Sequence, residues 1–195
     1  MNSNRARTAP RDPPPSHPAA GPIRSSEGVR YAAIPSPIGD LVAGVTGDGL
    51  FLLEFADAET LTSKPLPEIE QGPQRGQPEH RVLRQLRAEL DGYFSGKRRA
   101  FDVPLAMRGT PFQLDIWREL VKVPYGSTTS YAEIARRVGR GRAVRAVGQA
   151  NGRNPIVILV PCHRIVSTDG SLGGYSSGLD RKRYLLDLER RFAGG

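Results

Sequence analysis

Asn154-Pro155-Ile156-Val157-Ile158-Leu159-Val160-Pro161-Cys162-His163-Arg164-Ile165-Val166 is the stretch from which the rest of the chain can be read. Its apolar, β-branched run reads as a buried strand that delivers a Pro-Cys-His-Arg turn. Pro161 lacks a backbone donor and confines Val160 to extended geometry, so the expected strand ends there. Cys162 is the only cysteine in 195 residues, so it has no partner for an internal disulfide. A lone cysteine usually packs as a small core hydrophobe. A packing residue, however, has no use for flanking Pro, His and Arg. His163 and Arg164 are both groups able to favour the thiolate, the nucleophilic form of cysteine. The local chemistry points to a reactive Cys162.

Upstream of this turn lie two short helices. Ser130-Tyr131-Ala132-Glu133 has the capping-box pattern and begins a helix that ends near Gly139. Arg140-Gly141-Arg142 is a turn, and Ala143 to Asn151 forms a second helix that Asn154-Pro155 ends. Together they read as a helix-turn-helix. The second helix carries only small or modest residues (Ala143, Val144, Ala146, Val147, Gly148, Ala150), so its backbone can approach a groove closely. Tight helix packing would use the same residues. The pair sits among Arg136, Arg137, Arg140, Arg142, Arg145 and Arg153. Lys97 to Arg153 holds 12 basic and 4 acidic residues while the rest holds 16 of each, so the whole net charge of +8 falls in one segment. That placement favours a polyanion partner over a merely solvated face.

On either side the pattern stays regular. Thr110-Pro111-Phe112-Gln113 opens a helix whose core stripe is Phe112, Ile116, Trp117 and Leu120, with Trp117 read as packing rather than base stacking. After the cysteine turn, Gly173-Gly174-Tyr175-Ser176-Ser177-Gly178 is a backbone-exposing loop of the kind that lines a pocket. Leu179–Phe192 closes the chain as an amphipathic helix with Tyr184, Leu185 and Leu188 inward. In the first half, Val29–Ile34, Asp40–Thr46 and Leu50–Phe55 read as strands, the last two joined by Gly47-Asp48-Gly49. Ala56–Gln77 reads as a loop, Glu79–Phe94 as a helix and Ala100–Leu105 as a further short strand.

The expected fold class is therefore α/β, of the α+β type. A disordered Pro/Ser/Arg-rich tail (1–28) precedes an N-terminal α+β domain (29–106) and a C-terminal helix-turn-helix domain, winged-helix-like, at 110–195. No apolar run approaches membrane-spanning length, and the first residues lack the core of a secretory signal. With one cysteine there is no disulfide framework, so the cytoplasm is the expected compartment. Histidines at 17, 80 and 163 have no ligand spacing, and neither metal nor cofactor is expected.

Arg145-Ala146-Val147-Gly148-Gln149-Ala150, Asn154-Pro155, Pro161-Cys162-His163-Arg164, Gly174-Tyr175 and a closing helix with Leu185, Leu186 and Glu189 occur in this order. Their spacing resembles that of the O6-alkylguanine-DNA alkyltransferases, the direct-reversal repair proteins of the methylated-DNA–protein-cysteine methyltransferase type. The resemblance runs from Thr110 onward, and the first lobe is compatible with that family's RNase H-like N-terminal domain. It implies irreversible, single-turnover transfer of an alkyl group from O6-alkylguanine in DNA to Cys162, with O4-alkylthymine as a second candidate. His163 would act as base through a bound water, Glu189 would orient the imidazole, and Asn154 would brace the turn. Tyr131 would turn the target phosphate and donate a proton to the leaving guanine. Arg145 would fill the stack while the base is flipped, with Ala143, Ala146, Gly148, Arg140 and Arg142 against the DNA. Ile165, Tyr175, Ser176 and Val157 would line the substrate pocket. The implied partner is double-stranded DNA containing O6-alkylguanine, bound by a monomer, with cooperative loading open.

This sequence departs from many relatives in having Ile165 after the Pro-Cys-His-Arg signature, Ser177 in the glycine loop and Val157 near the pocket. These positions bear on the alkyl size accepted. Two rivals come from other classes. A lesion-binding module without transfer activity would lack the cysteine that stands here. A Cys-His hydrolase would need an oxyanion hole and gives the basic helix pair no role.

Overall fold

The structure, a computed structural model, describes residues 28–56 and 78–194. The tail expected before Gly28 and residues 57–77 of the expected loop lie outside them. Three strands, β1 (Arg30–Ile34), β2 (Leu41–Thr46) and β3 (Gly49–Phe55), form an antiparallel sheet in chain order. The β2–β3 turn depends on glycine. Gly49 has φ 141°, and a Cβ there would stand 2.3 Å from the Pro104 carbonyl oxygen. Helix α1 (Pro78–Phe94) lays Val82, Leu83, Leu86, Leu90 and Tyr93 on the sheet, the helical spacing read from the sequence.

Two expected strands do not form. Ala100–Leu105 contributes one bridge, Leu50 to Leu105, and the run before Cys162 contributes another, Leu53 to Ile156. Both segments compete for the free edge of β3. Leu50 N–H bonds the Pro104 carbonyl at 2.8 Å, and Leu53 N–H bonds the Pro155 carbonyl at 2.8 Å. Each segment takes one bridge's length of that edge and then turns away. An apolar run alone does not tell a strand from a buried turn, which is why the reading failed there.

In the second half, α2 (Pro111–Val121) has the full capping box between Thr110 and Gln113. Helices α3 (Tyr131–Arg137) and α4 (Val144–Gly152) form the helix-turn-helix. Ser130 Oγ caps α3 by accepting from Glu133 N–H at 3.1 Å. The Glu133 carboxylate turns forward to Arg136 and Arg137 instead of back. Trp117 is buried, and its Nε1 donates to the Ala150 carbonyl at 2.9 Å, fixing α2 against α4. A two-residue strand β4 (Thr129–Ser130) pairs in parallel with β5 (Ile165–Val166), tying the helix pair to the residues just past Cys162.

The closing helix α5 (Leu179–Ala193) buries Lys182, Leu185, Leu186, Leu188 and Glu189. Tyr184, expected inward, is 38% exposed. The buried stripe runs 182-185-189 and contains two charged residues, so a reading by hydrophobicity places it one residue off. Buried residues of both halves join in one core. No helix among the described residues is long and apolar enough to cross a membrane.

Candidate active site

Between Asn154 and Cys162 the chain makes tight successive turns: Val160 N–H to the Ile156 carbonyl at 3.0 Å and Cys162 N–H to the Val160 carbonyl at 2.8 Å. Ile158 is held at φ 71°, a region a β-branched residue enters only under constraint. Asn154 supplies much of the constraint. Its Oδ1 accepts from Ile156 N–H at 3.0 Å, and its Nδ2 donates to the Val160 carbonyl at 2.8 Å and to Cys162 Sγ at 3.1 Å. One amide thus closes the turn and orients the sulfur. Cys162 opens a 3-10 turn (Cys162–Arg164) and is buried. Burial pushes its thiol above the ordinary 9.0, against the Asn154 hydrogen bond and the charge of Lys182. The resting group is a thiol that needs a base.

Neither His163 nor Arg164 bonds the sulfur directly. Both turn to Glu189. His163 Nε2 and Glu189 Oε1 are 2.9 Å apart, and Arg164 donates through Nε to Oε2 and through Nη2 to Oε1, each at 2.9 Å. Arg164 Nη1 also donates to the Val123 carbonyl at 2.6 Å. Burial would raise the Glu189 carboxyl, but the hydrogen bonds and charges of His163 and Arg164 outweigh it and hold it at about 2. Burial pushes His163 below the ordinary 6.5, so the imidazole is neutral at pH 7. Its Nδ1 is buried with no partner among the described residues, which leaves a basic nitrogen for a relay.

These shifts fix a pH dependence of stability. Both folded-state values lie below the unfolded ones, so the unfolded chain binds more protons on acidification. The contribution of His163 is complete above 6.5 and is lost as pH falls below it; that of Glu189 follows below 4.5. The urea midpoint should therefore be lower at pH 5 than at pH 7.5. An equal or higher midpoint at pH 5 would contradict a buried neutral imidazole.

Above the sulfur, Tyr131 is half-buried with its hydroxyl 3.4 Å from the Gly174 carbonyl, and burial and then Cys162 raise its pKa. The Tyr175 hydroxyl faces the sulfur too, and burial followed by Cys162 holds it well above 10.0. Ile165 is buried beside the turn and Ser176 is exposed on the loop. Val157 is buried with its N–H bonded to the Leu53 carbonyl at 2.9 Å, so its geometry ties it to the N-terminal sheet. A cavity of about 750 Å³ borders Arg164, Tyr125, Val123 and Ile158, but its lining does not include Cys162, Tyr131 or Tyr175.

The sequence reading missed Lys182. Inside the run Arg181-Lys182-Arg183 it reads as a solvated face, yet it is fully buried. Its ammonium donates to the carbonyls of Ile165 at 2.5 Å, Gly174 at 3.4 Å, and Leu172, and burial lowers it to about 8. It pins the strand after Cys162 to the glycine loop. The only sequence signal is its spacing of three from Leu185.

On the helix pair, Arg142 and Arg145 are exposed and have no ion-pair or hydrogen-bond partner among the described residues. Arg140 is exposed but lies over the Phe112 ring at 5.6 Å. Arg136 and Arg137 hold the Glu133 carboxyl at about 2, which offsets part of the expected positive face. Ala143, Ala146 and Gly148 are half-buried, and a Cβ on Gly148 would only touch the Tyr131 ring at 3.9 Å. Ala143 gives α4 no side-chain cap, leaving its first amides open.

Residues 29–107 match the family described as "6-O-methylguanine DNA methyltransferase, ribonuclease-like domain", and residues 111–191 match "6-O-methylguanine DNA methyltransferase, DNA binding domain". The methylated-DNA–protein-cysteine methyltransferase of Methanosarcina barkeri is 44% identical over 82% of this chain and 96% of its own. The chain belongs to the 6-O-methylguanine DNA methyltransferase family. A crystal structure of Mycobacterium tuberculosis O6-methylguanine methyltransferase is similar at 42% identity and TM-score 0.71, covering 84% of this chain and 93% of that one. A structure of Mycobacterium tuberculosis OGT in complex with DNA is similar at 40% identity and TM-score 0.67, covering 84% and 94%. Membership in the methyltransferase family makes the recessed thiol, the basic helix pair and the ribonuclease-like sheet parts of one enzyme.

Proposed function

We propose that Cys162 takes an alkyl group from O6-alkylguanine in double-stranded DNA, once per molecule. The chain is an enzyme of direct-reversal DNA repair that transfers the alkyl group to a cysteine. The observation that carries the assignment is the buried Cys162 thiol, 3.1 Å from Asn154 Nδ2 and followed directly by the His163–Glu189 pair. The thiol proton goes to the imidazole through a bound water, and sulfur attacks the alkyl carbon. The carbon–oxygen bond breaks with its electron pair going to guanine, which takes a proton from Tyr131. A thioether has no good leaving group, so no second cycle follows. O4-alkylthymine presents the same bond and is a second substrate.

The target atom lies inside the duplex, so the base must be flipped to reach a sulfur this deep. Arg145, exposed and unpaired on α4, fills the space left behind. Arg142 and the open α4 amides hold phosphates without reading sequence, as a repair protein requires. Arg140 adds charge from its place over Phe112. Ile165, Tyr175 and Ser176 form the pocket around the flipped guanine; Val157 supports it from behind through β3.

A duplex carrying labelled O6-methylguanine tests this reading. Excess protein should retain one label per molecule, and release of label as free product with turnover would contradict it. Arg145→Ala should slow transfer from the duplex by about 10-fold or more, and from the free alkylated base much less, because only the duplex requires flipping. Equal losses on both substrates would remove Arg145 from that role.

A further inference from the structure

The N-terminal lobe carries a group that touches the relay. Tyr93, near the end of α1, is fully buried, and its hydroxyl donates to Glu189 Oε1 at 2.7 Å across 96 positions of sequence. Gly126, in the loop after α2, donates its N–H to Glu189 Oε2 at 3.1 Å. It holds φ 72°, and a Cβ there would meet the Ala193 Cβ at 2.5 Å, so only glycine brings that amide so near α5. With His163 and Arg164, the Glu189 carboxylate accepts five hydrogen bonds from three separate parts of the chain. A carboxylate has about four lone-pair sites, so it is saturated and has no freedom to turn.

The Tyr93 ring is fixed as firmly as its hydroxyl. It packs against Phe94 and Phe101 with centroids at 5.4 Å and meets Tyr125 edge-on at 6.0 Å. Burial, then Glu189, holds the phenol well above 10.0, so it stays a donor at any working pH. No catalytic reading from the sequence placed a residue of the first half at the site.

We propose that Tyr93 is a positioning residue for alkyl transfer: by clamping Glu189 Oε1 it sets how strongly that carboxylate holds the His163 imidazole, and so couples the N-terminal lobe to activation of Cys162. The inference rests on the reading of Cys162 as acceptor and His163 as base. The charged and titratable groups facing this centre are Arg164 and Lys182 toward His163, Arg164 and Tyr125 toward Glu189, and Arg164 and Tyr125 toward Tyr93. The Tyr125 hydroxyl has no hydrogen-bond partner among the described residues, and the neutral phenol bonded to Oε1 is Tyr93.

Tyr93→Phe keeps the ring and removes only the donor. With one bond fewer, Glu189 Oε1 is free to turn and no longer fixes the His163 ring toward its proton donor, which slows transfer, while its less-shared charge raises the proton affinity of the imidazole. Single-turnover transfer from O6-methylguanine duplex should slow roughly 10-fold, the rate equivalent of one charge-assisted hydrogen bond, with DNA affinity unchanged. The acid limb of the pH–rate profile should move upward by about half a pH unit or more, and the His163 imidazole titration followed by NMR should move with it. Wild-type rate, or a slower rate with both midpoints in place, would overturn the proposal. Should the wild-type protein itself fail to transfer, the functional reading falls, and the His163 titration of the two proteins still decides whether Tyr93 acts through Glu189.

Discussion

Cys162→Ser should lose alkyl transfer by at least about 10⁴-fold while binding duplex DNA as the wild type does. The Cys162 group is a thiol at rest, and its proton has to come within reach of a base before the sulfur can attack. Burial raises the Cys162 thiol, and Asn154 and Lys182 oppose that shift by less. A serine hydroxyl lies far above that reach, and its oxygen is a much poorer nucleophile toward an alkyl carbon. The substitution changes neither charge nor bulk, and Asn154 Nδ2 has an acceptor in either case. Fold and DNA face should therefore be untouched, and gel-shift affinity with single-turnover transfer on one preparation separates the two properties. Transfer by the serine variant at a rate near wild type would move the acceptor elsewhere.

The largest stability effect should come from Glu189→Gln. The Glu189 side chain is fully buried and the Arg164 side chain is 7% exposed, so the pair is desolvated and each half depends on the other. Both oxygens of Glu189 already accept from at least two donors. Turning either into an amide NH₂ points donor at donor and leaves the guanidinium without its counter-charge. Removing one partner of a buried pair costs about 3–5 kcal/mol. In urea denaturation this should appear as a lower midpoint with little change in slope. The variant should also transfer slowly, since His163 loses its orienting carboxylate. A midpoint matching the wild type would mean that Arg164 finds another acceptor and that the centre is less closed than its geometry indicates.

Much of this was legible in the amino-acid chain because it depends on local chemistry. The Thr110–Gln113 and Ser130 caps, the Gly47–Gly49 hairpin and the helical stripe of α1 are set by residues a few positions apart. Cys162 and His163 could be singled out because Pro, Cys, His and Arg in sequence make little sense as packing, whereas Asn154 and Glu189 were named only through the family resemblance. What stayed hidden depends on partners distant in sequence. Lys182 looks like a surface lysine until the carbonyls of Ile165, Leu172 and Gly174 close around it. Tyr93 looks like core until Glu189 arrives beside it. Arg164 looks like a thiolate stabiliser because it is adjacent to the turn, yet a 3-10 turn points it at α5. The two strands that failed to form lost to competition for one edge of β3, which no local pattern records.

In the proposed reaction one named sulfur, Cys162 Sγ, receives the alkyl group. Incubation with O6-methylguanine duplex, followed by intact mass measurement and peptide mapping, tests it directly. A single methyl should be added to every active molecule, on the peptide carrying Cys162, unchanged by dilution or by further incubation. An unmodified protein after the lesion has gone, or a methyl on any other residue, would contradict it.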